Sequence, residues 1–149
     1  MIKRTHLAIG LALALLFLPS VNYKLIFFPI VLICALLPDI DSPDSYFGHH
    51  RIWKPLQFVV EHRGVFHSFT LCILFSLAFA FFVPVLALPF FLGYSCHLFA
   101  DSFTQEGITP FWPWKRTSTG LLRTGGSIEY GIFIGFIIAD VLLFAKLFI

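Results

Sequence analysis

GVFHSFTLCILFSLAFAFFVPVLALPFFLGYSCHLFA, Gly64 to Ala100, decides the fold. These 37 residues contain no Asp, Glu, Lys or Arg. One membrane crossing needs about 20 apolar residues, so the run is too long for one helix and suits two joined by a turn. Pro84 and Pro89 lie near its middle, where a helical hairpin has to break. The rest of the chain agrees. Of 149 residues 58% are hydrophobic and only 12% charged, where a soluble domain carries about a quarter charged residues. The reading is an all-α, polytopic membrane helical bundle forming a single domain over residues 1–149.

Working outward, five apolar segments stand out: roughly 5–19, 22–38, 65–83, 86–103 and 129–149. The first two are short for a full span and suit thinned lipid or partial immersion. The first also resembles a signal peptide, MIKR preceding LAIGLALALLFLP. It ends in Leu18-Pro19-Ser20 without small residues at both cleavage positions, so it reads as a retained helix. Cys34, Cys72 and Cys96 sit singly in apolar runs and read as packing residues.

Polar connections cover 39–64 and 104–128. With the N-terminus cytoplasmic, eight of the ten basic residues fall on the cytoplasmic side, leaving only Lys24 and Lys146 opposite. All six histidines then share that side, as do seven of the eight acidic residues, Asp140 excepted. An acid midway along the last segment is a functional residue by default, although Lys146 or a backbone group could pair with it.

From this side the chemistry assembles. His6 opens the first segment, Asp39 and Asp41 close the second in LLPDIDSPDS, and His62 and His67 flank the start of the third in EHRGVFHS. His97 and Asp101 close the fourth, four residues apart and therefore on one helix face. Each has an ordinary alternative as a cap, a turn former or a hydrogen-bonding group. As a set at one depth they would repel or go unsatisfied without a cation. Imidazole with carboxylate suits zinc first, then manganese or iron; seven ligands suit one or two divalent ions with a bridging carboxylate. An ion with an open position would lower the pKa of water from about 15.7 to about 7 for attack on an ester or phosphoester.

The motifs THLAIG, LLPDIDSP, EHRGVFHS and GYSCHLFADSFTQEG, followed by PFWPW, resemble the YdjM-like family of inner-membrane proteins described as metal-dependent hydrolases. The resemblance runs from about residue 5 to 114. It implies a mostly helical membrane protein whose His and Asp motif positions fall on His6, Asp39, Asp41, His62, His67, His97 and Asp101. The family is also described as binding the LexA repressor. Phe66 and Glu61 depart from its pattern, which has a small or hydroxyl residue and a glycine there. A looser similarity, in the order of ligands, is to the zinc phospholipase C group.

Neighbouring residues bear on the substrate. Arg63 could present a bidentate fork to phosphate or snorkel as an anchor, and Glu106 could serve as a base or remain a solvated loop carboxylate. Trp53, Trp112 and Trp114, next to Lys54, Lys115 and Arg116, read as anchors against anionic headgroups, and RIWKPLQFVVEHR as a helix partly in the interface. Scattered basic residues form no stripe for nucleic acid.

The expected function is a metal-dependent hydrolase at the cytoplasmic face of the inner membrane, acting on a lipid-like or phosphorylated substrate. A metal transporter would instead place its ligands near the bilayer midplane. A docking protein would need only its loop surfaces, with the metal structural.

Overall fold

The computed structural model describes residues 1–41 and 64–148, with Asp41 described in its backbone alone. Five α-helices occur among them: α1 (Lys3–Phe17), α2 (Lys24–Cys34), α3 (Phe69–Phe82), α4 (Pro84–Ser102) and α5 (Ser127–Lys146). Each matches one of the five apolar segments to within a few residues. Short 3-10 turns at Leu18–Ser20, Leu37–Asp41 and Val65–His67 sit between or before them. No strand forms among the described residues; two isolated bridges, Thr104 with Leu122 and Ile108 with Ser118, tie the loop after α4.

Helices α4 and α5 are long and apolar enough to cross a membrane; α2 and α3 are apolar but shorter. α4 is the central helix, packing against α2, α3 and α1, while α5 packs on α1. Its outer face stays uncovered, with Ile138, Val141 and Leu142 more than half exposed. Such a face is stable only against lipid or another apolar surface.

The hairpin expected around Pro84 breaks there, with Val83 outside the helical region (φ −144°, ψ 71°) and Pro84 opening α4. Proline is tolerated at that position because its missing N–H would have no helical partner anyway. Pro89, by contrast, stays inside α4, as Pro29 does inside α2.

Two glycines let the helices meet closely. A Cβ on Gly93 would lie 2.3 Å from the Val31 carbonyl oxygen and 2.8 Å from Cys34 Cβ. A Cβ on Gly10 would lie 2.8 Å from Ala35 Cβ. The backbone of α2 therefore rests directly against α4, and the Ala35 side chain just past α2 rests against α1. Phe90, Tyr94 and Leu98 of α4 form the adjoining core with Cys34, Cys72 and Ile108. All three cysteines are buried and free, as packing residues would be.

Candidate metal centre

Contacts of Met1 with Asp101, of Ile2 with Glu129 and of Asp39 with His67 and His97 bring the start of α1, the end of α2, the start of α3, the end of α4 and the start of α5 to one end of the bundle. His6, Asp39, His67, His97, Asp101 and Glu129 lie there. Pro38 follows α2 and the chain tightens into the 3-10 turn carrying Asp39. Before α3, Ser68 caps the helix by accepting from the Leu71 N–H at 3.2 Å and donating to the Val65 carbonyl at 2.6 Å. Tyr94 of α4 donates its hydroxyl to the Phe66 carbonyl at 2.7 Å, fixing the turn that presents His67. Thr104 donates to the Asp101 carbonyl at 2.7 Å and accepts from the Gly107 N–H at 3.2 Å, securing the end of α4.

Asp39, His67, His97 and Asp101 converge as a result. One ligand atom from each lies within 4.8 Å of all the others. His97 Nε2 is 3.6 Å from Asp39 Oδ1 and 3.8 Å from Asp101 Oδ2; His67 Nε2 repeats both distances. These separations are too long for direct hydrogen bonds. They lie close to the edges of a tetrahedron whose ligands stand about 2.0–2.2 Å from a central ion, about 3.3–3.6 Å.

Two observations support the fit of a cation. His97 Nδ1 lies 2.8 Å from the Ala35 carbonyl oxygen, which can only accept, so that nitrogen carries the proton and Nε2 presents its lone pair. Buried without a hydrogen-bond partner, that lone pair faces the other three groups. Asp101 is held similarly: its Oδ1 accepts from the Met1 amino group and lies 3.3 Å from His6 Nε2, leaving Oδ2 toward the cluster. Removing a nitrogen such as His97 Nε2 from water without a partner costs several kcal/mol in an apolar interior. A divalent ion held there would offset that cost and lie against both carboxylates at once.

Access is one-sided. Side chains of His67, His97 and Asp101 are at most 1% exposed, whereas Asp39 is 21% exposed. Burial works against ionisation of Asp39, but the neighbouring imidazoles of His67, His97 and His6 outweigh it. Its pKa falls below the usual 3.8.

The other expected residues fall as follows. His6 stands outside the group of four, its ring stacked on His97 with centroids 3.8 Å apart and planes 11° from parallel. The side chain of Asp41, together with His62 and Arg63, lies outside the described residues, as do His49, His50, Trp53 and the segment RIWKPLQFVVEHR. Glu106 is exposed in the loop after α4 and outside the group. Trp112 and Trp114 are exposed beside Lys115 and Arg116, a placement that suits membrane anchors.

Glu129 escaped the sequence reading. Only 2% exposed at the start of α5, it accepts from the Ile2 N–H at 2.6 Å, the Thr5 hydroxyl at 2.9 Å and the Gly125 N–H at 2.7 Å. It thus fixes the start of α1, and with it His6 and the Met1 contact to Asp101. Its sequence signal is slight: an acid in a first helical turn suits the helix dipole wherever it occurs.

Two relatives share half of the chain. The proteins named inner membrane protein YdjM from Escherichia coli (strain K12) and from Shigella flexneri are each 38% identical over 96 residues. That stretch is 57% of this chain and 48% of either relative, so the match spans about half their length. No solved structure matches. The pattern of the family described as YdjM inner membrane protein matches residues 1–147, nearly the whole chain. With two helices able to span a bilayer and a group of four side chains, three of them buried, that could hold a metal ion, the chain belongs to the YdjM inner membrane protein family.

Proposed function

We propose that this protein is a membrane-bound, metal-dependent hydrolase whose substrate is a phosphoester of a lipid or amphiphile. The observation that carries the reading is the convergence of Asp39, His67, His97 and Asp101 around a buried, unpartnered His97 Nε2. When bound, a zinc, manganese or iron ion activates water for attack on an ester and neutralises the charge that develops. Asp39, His67, His97 and Asp101 hold that ion, and the Ala35 carbonyl keeps the His97 proton on Nδ1. His6 braces His97 by stacking and Asp101 by its Nε2 contact. Asp41 and His62 are expected to complete the ligand set, with Arg63 holding the substrate anion and Glu106 acting as a base.

An amphiphilic substrate is supported by the surroundings. A groove of about 810 Å³ runs along α1, α4 and α5, with Phe69, Ala100 and Phe103 at the metal end and Leu16, Phe17 and Leu143 at the other. An acyl chain laid there would bring its phosphoester to the Met1, Ala100 and Phe103 end of the groove, the end of the bundle that carries Asp101. The orientation follows from the charges: the end carrying the site faces the cytoplasm.

The test is hydrolysis of a panel of phospholipid and lipid-phosphate esters by protein reconstituted in lipid with zinc, manganese or iron. Metal-dependent product release, abolished in His97→Ala, is expected. Metal-loaded protein that hydrolyses no member of the panel overturns the reading.

A further inference from the structure

A second site lies at the opposite end of the bundle. Asp140 is the fourteenth residue of α5, about 16 Å along the axis from Glu129 at 1.5 Å per residue. Only 5% exposed, its two carboxylate oxygens are buried and neither has a hydrogen-bond partner. The Lys146 pairing considered from sequence therefore does not account for them. A carboxyl group left unsatisfied in an apolar wall is costly, and no described residue supplies its partner.

The surroundings indicate which partner. Asp140 lines a groove of about 720 Å³ between α1, α2 and α5. Leu15, Phe28, Ile137 and Phe144 form its apolar walls, and Lys24, exposed at the first residue of α2, lines it too. One acceptor group, one cation and a long apolar trough thus share one concavity. The acceptor is buried and the cation reaches solvent.

We propose that this groove binds a zwitterionic phospholipid bearing a primary ammonium group. The ammonium donates hydrogen bonds to Asp140, the phosphate lies against Lys24, and an acyl chain fills the trough. Charge complementarity selects the class. An anionic headgroup without an amine would place no cation on Asp140. A quaternary ammonium carries the charge but has no N–H to donate. The site is separate from the metal centre and stands whether or not that centre hydrolyses anything.

The test is lipid binding by delipidated protein in detergent, read by native mass spectrometry with phosphatidylethanolamine, phosphatidylcholine and phosphatidylglycerol of matched chains. Wild type should retain phosphatidylethanolamine at least about tenfold more tightly than either other lipid, one charge-assisted contact corresponding to about that factor. Asp140→Asn should remove the preference. Lys24→Gln should weaken all three lipids together while leaving their order. Equal retention of the three by wild type overturns the proposal even if Asp140→Asn does not fold. So does a folded Asp140→Asn that keeps the preference.

Discussion

Gly93 gives the most demanding test of how the helices set the metal centre. Alanine there places a methyl group 2.3 Å from the Val31 carbonyl oxygen, 2.8 Å from Cys34 Cβ and 3.1 Å from the Ala35 nitrogen. Two of the three are backbone atoms that no rotamer change can move. To restore ordinary contact, α2 must separate from α4 by about 1 Å. The displaced segment carries Ala35, whose carbonyl orients His97 at 2.8 Å, and leads directly to Asp39. A shift of that size breaks the hydrogen bond and widens the 3.6 Å approach of Asp39 to His97. Overpacking costs about 1–3 kcal/mol, and losing an orienting partner of a ligand weakens metal binding about 10–100-fold. Gly135→Ala is the control, because nothing lies within 4 Å of its added Cβ. Thermal unfolding in detergent and competition with a chelator read the two effects. Gly93→Ala should lose both stability and affinity, and Gly135→Ala neither. Wild-type metal affinity in a folded Gly93→Ala would refute the coupling of helix approach to ligand geometry.

Three further outcomes are expected. Glu129→Ala leaves three donors without their acceptor and should destabilise the protein by about 2–3 kcal/mol in thermal or detergent unfolding, while Glu106→Ala, exposed, should change stability by less than about 0.5 kcal/mol. Because the folded pKa of Asp39 lies below 3.8, its contribution to metal-free stability is fully present above that pH and is lost as pH falls through the lower value. The stability gap between wild type and Asp39→Asn should accordingly hold from pH 7 to 5 and close only below about pH 4; closure between 7 and 5 would contradict the assignment. Thr104→Val removes the hydroxyl that ties the Asp101 carbonyl to the Gly107 N–H, both ends of it buried, and should cost about 1–3 kcal/mol with loosened metal binding in chelator competition.

Much of this arrangement was legible in the sequence for one reason: polar residues are conspicuous in a chain that is 58% hydrophobic. Five apolar segments with polar ends determine which ends share a side, and His67, His97, Asp39 and Asp101 follow from that alternation alone. Spacing served His97 and Asp101 directly, because a four-residue interval fixes a common helix face. What stayed hidden depends on contacts between distant positions. The bonds from Glu129 to Ile2 and Thr5 span 127 and 124 residues, and no local pattern announces them. The Ala35 carbonyl has no side-chain signal at all. Gly93 reads as one glycine among ten until Val31 and Cys34 are set against it. Pro89 was read as a candidate break, yet the helix continues through it in the close packing of Phe90 and Tyr94. Asp140 was visible as an anomaly, but its groove and its lack of a partner among the described residues emerge only from the fold.

The proposed metal site of Asp39, His67, His97 and Asp101 is tested most directly by the metal content of the purified protein. Protein extracted in mild detergent, with and without reloading, is analysed for zinc, manganese and iron beside His97→Ala and Asp101→Ala. At least about one equivalent per wild-type chain, lost in both folded variants, is the predicted result. A folded wild type that holds no metal after reloading, or variants that hold as much as wild type, would contradict it.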